Sequence, residues 1–223
     1  MVRLPPLPVL SAPGAIPRIV HQFWLGPDSE RAERVSGLWS EVLPGWDVRL
    51  WTEQSTKDSP LERWVEKVQQ VSEDYRLQAD LLRLVALSYY GGIYADSDAV
   101  PLQPLDDWIG ARNGWIGSGP ETEDSPTLIN ATFGAPAGHP FLARVMVLAQ
   151  RALERGVTNP HWVAGPRQFR TAYTQVQDMD VDYRFVTTLE AKARAMVRGD
   201  VPIDLGWLRE QYPTSPILHV VLR

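Results

Sequence analysis

The segment from Ala79 to Leu105 constrains this chain more than any other. An apolar helical run carrying Ala79-Asp80-Leu81-Leu82-Arg83 continues to about Tyr90, where Gly91-Gly92 stops it. A short apolar stretch, Ile93–Ala95, follows at once, then Asp96-Ser97-Asp98, then Pro101-Leu102 and Pro104-Leu105. A helix that runs through a glycine pair into a buried strand is half of an α/β unit. Two neighbouring carboxylates repel each other unless something positive lies between them. In extended backbone, residues two apart point the same way, so both acids reach one site. A hard divalent cation, Mg²⁺ or Mn²⁺, satisfies both and then bridges phosphate oxygens. Asp-x-Asp alone is a weak signal, since a surface turn with two solvated acids looks the same. The preceding glycine pair, which lets backbone approach closely, strengthens it.

On the helix before the glycines, Arg76, Asp80 and Arg83 are spaced i, i+4, i+7 on one face, among Leu77, Leu81, Leu84, Val85 and Leu87. Standing alone, that pattern is an intrahelical salt bridge worth a few tenths of a kcal/mol. Its position one helix away from the acidic pair makes Asp80 and Arg83 candidates for the same site.

Elsewhere, 16–25 reads as a first buried strand ended by Gly26-Pro27. Ser29 to Leu43 reads as a helix with Ser29 as N-cap, Trp46 to Trp51 as a strand, and Pro60 to Gln70 as a helix. Ser72 is the expected cap of the long helix. Strands are expected at Ile93–Ala95, Trp115–Ser118, Leu128–Gly134, Tyr183–Thr187 and Pro216–Leu222. Helices are expected over Pro140–Arg155 and from Gly165-Pro166 to Gln175, and residues 188–212 carry no clear pattern. Strands alternating with helices predict an α/β sheet with a nucleotide site at its strand ends. Residues 1–15, rich in proline, read as an extended arm, and 16–223 as one compact domain without repeats or linkers.

A net charge of −5 gives no footing for a general nucleic-acid or membrane-surface role. Arg144, Arg151, Arg155, Arg167 and Arg170 face only Glu154 locally, and a solvated helix face explains them better than an anion site. With no cysteine, disulfides, thiolate metal sites and a Cys nucleophile are excluded. That fits a reducing compartment and, with no apolar run long enough for a membrane span and no signal-peptide core, predicts a cytoplasmic protein.

Three ordered blocks together are far more specific than any one: 16–26, Ile-Pro-Arg-Ile-Val-His-Gln-Phe-Trp-Leu-Gly; Ala79-Asp80-Leu81-Leu82-Arg83; and Gly91-Gly92-Ile93-Tyr94-Ala95-Asp96-Ser97-Asp98 with Pro101-Leu102. This series resembles the DXD-type sugar-binding glycosyltransferases: initiating fungal α-1,6-mannosyltransferases, bacterial capsular polysaccharide transferases and, more distantly, large glucosylating toxins. The likeness is strong over 16–105 and continues weakly through Asn130–Pro136 and His139-Pro140-Phe141. It implies a GT-A nucleotide-diphospho-sugar transferase fold, a single Rossmann-like α/β domain with a mixed central sheet. It also implies retaining transfer from a UDP- or GDP-sugar to a saccharide or other hydroxyl acceptor, in polysaccharide biosynthesis, with Mn²⁺ or Mg²⁺ as cofactor. In these terms Asp98 is a direct metal ligand, and Asp96 holds metal and ribose. Asp80 and Arg83 grip the donor sugar, Arg83 also near the diphosphate. Trp24 stacks on the base, Gly92 and Tyr94 contact the donor, and Asn130 lies near donor sugar or acceptor. Gly165-Pro166 resembles the start of the helix that lines the acceptor side in relatives.

Relatives carry a late His that completes the metal or diphosphate site, followed by a Ser-x-Trp-like element. Here His219 stands in Ile217-Leu218-His219-Val220-Val221, where a structural role and a role as third ligand both stay open, and the Ser-x-Trp element is absent. Arg223, a partner subunit or the N-terminal arm are candidates to replace it. Three other readings are weaker. Asp96-Ser97-Asp98-Ala99-Val100 matches the haloacid-dehalogenase phosphatase pattern, but that chemistry needs a later Lys and acidic pair, and after residue 98 only Lys192 exists, with no Gly-Asp-x-x-x-Asp. A non-catalytic nucleotide-sugar-binding module and a transferase acting on a modified nucleic-acid base complete the set.

Overall fold

The fold was obtained as a computed structural model that describes residues 3–10, 14–27, 29–109, 112–119, 127–176, 179–182 and 184–222. The first half builds β1 (Ile19–Phe23), α1 (Glu30–Val42), β2 (Asp47–Trp51), α2 (Glu62–Val71), α3 (Tyr75–Tyr90), β3 (Gly92–Ala95), β4 (Ala99–Pro101) and α4 (Asp106–Ile109). The second half adds β5 (Trp115–Gly119), β6 (Thr127–Ala135), α5 (Pro140–Glu154), α6 (Pro160–Val163), α7 (Pro166–Tyr173), β7 (Asp180–Asp182), β8 (Val186–Thr188), α8 (Ala191–Arg198), α9 (Leu205–Gln211) and β9 (Ile217–Val220). The main sheet has the order β2-β1-β3-β6-β5-β7 and is mixed, as expected. β1 runs parallel to β2 and β3, whereas β6 is antiparallel to β3 and β5. A small second sheet, β4-β9-β8, stands beside it.

β1 and β3 are parallel neighbours, so the residues that follow them, Trp24 and Asp96, leave the sheet at the same edge. That is the strand-end crevice where open α/β sheets place ligands. α3 packs on β1 with an almost wholly apolar, buried surface, and Asp80 and Arg83 are buried within it. Gly91 ends α3 at φ +64°, and Gly92 follows at φ +105°. A Cβ on Gly92 would lie 2.5 Å from the Ile19 carbonyl oxygen, so only glycine lets β3 pair this closely with β1.

Several local expectations are corrected. Ser29 sits in helical backbone and makes no side-chain cap; its hydroxyl turns to Glu33. Asp74, not Ser72, caps α3, accepting from the Arg76 N–H at 2.9 Å, while Ser72 Oγ accepts from the Asp74 N–H. β4, β7, α4 and α6 were not expected, and 188–212 folds into α8 and α9. β8 begins at Val186, and the expected strand start at Tyr183 lies outside the described residues. Within the arm, Leu4 and Leu7 are buried, the Leu4 N–H donates to Gln150 Oε1 on α5, and the Leu10 N–H donates to the Gly138 carbonyl. Arg151, Arg155, Arg167 and Arg170 are exposed, in line with a solvated helix face. Among the described residues no helix is long and apolar enough to cross a membrane.

Candidate active site

Asp96 and Asp98 converge, but not through strand periodicity. They occupy a turn closed by the Ala99 N–H donating to the Asp96 carbonyl at 2.9 Å. Neighbours fasten this turn on several sides. The Asp96 N–H donates to the Ala131 carbonyl, Gln22 Nε2 to the Asp96 carbonyl, the Val220 N–H to the Asp98 carbonyl, and the Trp39 indole to the Ala99 carbonyl. β6, β1, β9 and α1 therefore each hold the acidic turn through backbone groups, which fixes where its carboxylates aim.

His219 arrives through the small sheet, where it is the register partner of Ala99. Its Nε2 lies 3.3 Å from Asp98 Oδ1 and 3.9 Å from Asp96 Oδ2, and its Nδ1 lies 3.5 Å from Thr187 Oγ1. One ligand atom from each of Asp96, Asp98 and His219 falls within 4.8 Å of the others. Burial depresses the His219 imidazole, but the facing Asp98 and Asp96 carboxylates outweigh it and hold the pKa above its usual value. Burial raises Asp96; Arg83 opposes that rise and Asp98 adds to it. Asp98 Oδ1 is buried, and its approach to His219 Nε2 at 3.3 Å is an ion-pair contact rather than a well-formed hydrogen bond. A buried carboxylate oxygen beside a second carboxylate and an imidazole nitrogen is a donor set that suits a hard divalent cation.

Behind the turn lies a second charged group. Arg83 is 4% exposed. Its Nη2 pairs with Asp80 Oδ1 at 2.7 Å and Asp96 Oδ1 at 3.2 Å, and its Nη1 donates to the Asn130 carbonyl. Burial alone would lower the Arg83 pKa, yet Tyr94, Asp96 and Asp80 around it keep it above the usual value. Asn130 Nδ2 donates to Asp80 Oδ1 at 2.8 Å. Burial pushes the Asp80 carboxyl up to about 6, against the pull of Arg83. The Tyr94 hydroxyl donates to Asp96 Oδ1, and its ring lies under the Arg83 guanidinium at 4.1 Å. Arg76 is absent from this group: it is exposed and pairs with Asp74.

These groups line one cleft of about 1470 Å³, larger than the few hundred to ~1,000 Å³ of a single small-ligand site. Asp80, Arg83, Asp96, Asp98, Asn130 and His219 all border it, and so does Trp24. Gly92 does not; its close approach is to β1. Tyr94 also borders the cleft, almost fully buried, with its hydroxyl donating to Asp96. Trp24 is half-buried, its indole N–H donates to the Pro27 carbonyl, and the Arg31 guanidinium carbon lies 4.8 Å from its ring centroid. Sequence reasoning missed Arg31, Tyr75, Trp162 and Leu189 in the lining. Tyr75, Ala79 and Arg83 share the i, i+4, i+8 face of α3, so Tyr75 was within reach of the helical pattern; Trp162 and Leu189 had no such signal. Arg223 lies outside the described residues.

Residues 29–115 match the family described as the glycosyltransferase sugar-binding region containing a DXD motif. Inositol phosphoceramide mannosyltransferase 3 of Schizosaccharomyces pombe is 32% identical over 158 residues, 66% of this chain and 40% of that protein. The chain thus spans about two fifths of the length of that curated relative. Among solved structures, the PaToxG glycosyltransferase superposes with a TM-score of 0.59 at 20% identity, covering 92% of this chain and 80% of that one. The galactosyltransferase LgtC, in complex with donor and acceptor sugar analogues, gives 0.52 at 9% identity, covering 91% and 86%. Both likenesses speak for the fold, which is GT-A. The matched segment, residues 29–115, is thus similar to the glycosyltransferase sugar-binding region containing a DXD motif and is carried on that fold.

Proposed function

We propose that this chain is a metal-dependent, retaining glycosyltransferase that moves a sugar from a UDP- or GDP-sugar to a hydroxyl of a saccharide acceptor, with residues 16–223 as its catalytic domain and 1–15 as an arm. The observation that carries the reading is the meeting, at one strand-end edge, of the Asp96/Asp98/His219 donor set with the buried Asp80–Arg83–Asn130 group. The names of relatives agree, one a mannosyltransferase and one a galactosyltransferase holding donor and acceptor analogues.

Asp96, Asp98 and His219 would hold Mn²⁺ or Mg²⁺, which when bound offsets negative charge on a departing nucleoside diphosphate. The remaining work falls to side chains. Trp24, backed by Arg31, offers an aromatic face to the base. Asp80, aimed by Arg83 and Asn130, accepts hydrogen bonds from donor-sugar hydroxyls. Tyr94 keeps the Asp96 carboxylate turned toward the cleft. Placement and charge stabilisation, rather than a strong protein base, supply most of the rate. The sugar C1–O bond to the diphosphate breaks with its electron pair leaving on the phosphate. The acceptor oxygen then bonds to C1 from the same face, and its proton passes to that phosphate oxygen.

The test is a donor screen without acceptor: UDP-glucose, UDP-galactose, UDP-GlcNAc and GDP-mannose, each with Mn²⁺ or EDTA, reading released nucleoside diphosphate. Slow hydrolysis of one donor, present with Mn²⁺ and lost with EDTA, is expected. No hydrolysis and no thermal shift with any donor would leave a non-catalytic module instead.

A further inference from the structure

Among the described residues, three exposed large hydrophobic side chains, Tyr75, Trp162 and Leu189, line the cleft that holds Asp96 and Asp98. Depth orders its walls. Asp80 and Arg83 lie at the bottom, 7% and 4% exposed, whereas Trp162 and Leu189 stand at the rim, 48% and 65% exposed. A donor gripped by the buried polar group fills the bottom first. A second substrate entering from solvent meets the rim.

The backbone that carries Trp162 is anchored at several points. The residue sits on the single turn of α6, which Pro160 opens and Asn159 caps by accepting from the His161 N–H at 3.0 Å. A Cβ on Gly165 would lie 2.7 Å from His161 Cα, so α7 starts in contact with the backbone of α6. Gln168 Nε2 donates to the Trp162 carbonyl at 2.7 Å. The Arg167 guanidinium carbon lies 4.3 Å from the indole centroid, and Arg167 is not among the cleft-lining residues, so it backs the ring from outside the cleft. Asn159 and His161 border the cleft beside the ring. A flat apolar surface, backed by a guanidinium and edged by hydrogen-bonding groups, suits a ligand with one C–H face and hydroxyls around its perimeter.

We propose that Trp162 is the platform of the acceptor subsite, and that the acceptor is a pyranoside laid with a C–H face on the indole. The assignment of the ligand as acceptor rests on the transfer reading above. A pyranose fits this rim better than an alkyl chain because Asn159 and His161 accompany the ring.

The test is saturation-transfer NMR with methyl α-mannoside, methyl α-glucoside, methyl β-galactoside and methyl β-N-acetylglucosaminide, on the wild type, Trp162→Ala and Trp162→Phe. At least one glycoside is expected to bind through its ring C–H protons, with Kd about tenfold weaker in Trp162→Ala and recovered in Trp162→Phe. Thermal melts check that the exposed substitution leaves the fold intact. In turnover, Trp162→Ala is expected to raise the acceptor KM about tenfold while kcat at saturating acceptor changes little. No binding of any methyl glycoside, equal binding by Trp162→Ala, or binding of octyl but not methyl glycosides would overturn the platform, as would a rise in donor KM instead. A wild type that binds a glycoside but hydrolyses no donor keeps the sugar platform and removes the transfer reading.

Discussion

His21 is wired as a neutral imidazole. Its Nε2 meets the Gly91 carbonyl at 2.9 Å and its Nδ1 accepts from the Trp51 indole N–H at 2.9 Å. A second proton on Nδ1 would set donor against donor. Burial therefore pulls its pKa down to about 4, the Gly91 carbonyl and Arg49 acting in opposite directions beside it. The unfolded chain takes up this proton near pH 6.5, so between pH 6.5 and about 4 it binds more protons than the native state and stability falls as pH falls. The loss across that window is on the order of 3 kcal/mol. Urea midpoints between pH 7.5 and 4.5 measure it, and His21→Gln should flatten that slope; an unchanged slope would remove His21 as its source. In the site, Asp98→Asn should abolish Mn²⁺-dependent donor hydrolysis and the Mn²⁺-induced thermal shift while the protein stays folded. Retained Mn²⁺ dependence would take Asp98 out of the metal set. Asp80→Asn removes the carboxylate that Arg83 and Asn130 orient and should lower kcat/KM at least about a hundredfold.

At the scale of elements, the acidic turn depends on side chains with no chemistry of their own. Trp39, fully buried on α1, donates to the Ala99 carbonyl at 3.0 Å. Trp39→Phe keeps most of the ring but orphans that carbonyl, a cost of about 1–3 kcal/mol, and should weaken Mn²⁺ binding in calorimetry more than it changes the far-UV spectrum. Gly92→Ala places a methyl against Ile19 at positive φ and should destabilise by about 3 kcal/mol in chemical denaturation. Whatever depended on local pattern was legible in the chain: β1, α3 with its glycine stop, α5, and the motif order that joins Asp80, Arg83, Asp96 and Asp98. What escaped depends on distant partners. β4 and β7 have three residues each, too few to show alternation, and they exist through pairing with β9 and β5. The Asp96–Asp98 geometry escaped likewise, because a turn pinned by β6, β9 and α1 carries no local signature. Trp162 gave no sign because its value lies in where two prolines and Gly165 put it.

For the whole molecule, the two sheets divide the work. The six-stranded sheet carries β1, β3 and α3, and with them Trp24, Asp80, Arg83 and Asp96. The three-stranded sheet delivers His219 and clamps the far side of the turn through the Val220 N–H to the Asp98 carbonyl. The Ala99–His219 pair joins residues more than half the chain apart, a contact whose loop-closure entropy must be met before it returns anything. In pulse-labelled hydrogen exchange during refolding, the amides of β4 and β9 should gain protection after those of β1, β3 and β6. Simultaneous protection would contradict this. The order has a biological reading. A chain emerging residue by residue completes its larger sheet while the strand bearing His219 is still to come. On the transfer reading proposed above, the Asp96, Asp98 and His219 set closes only when β9 has paired with β4, so a copy in which that pair has not yet formed would be silent rather than wasteful.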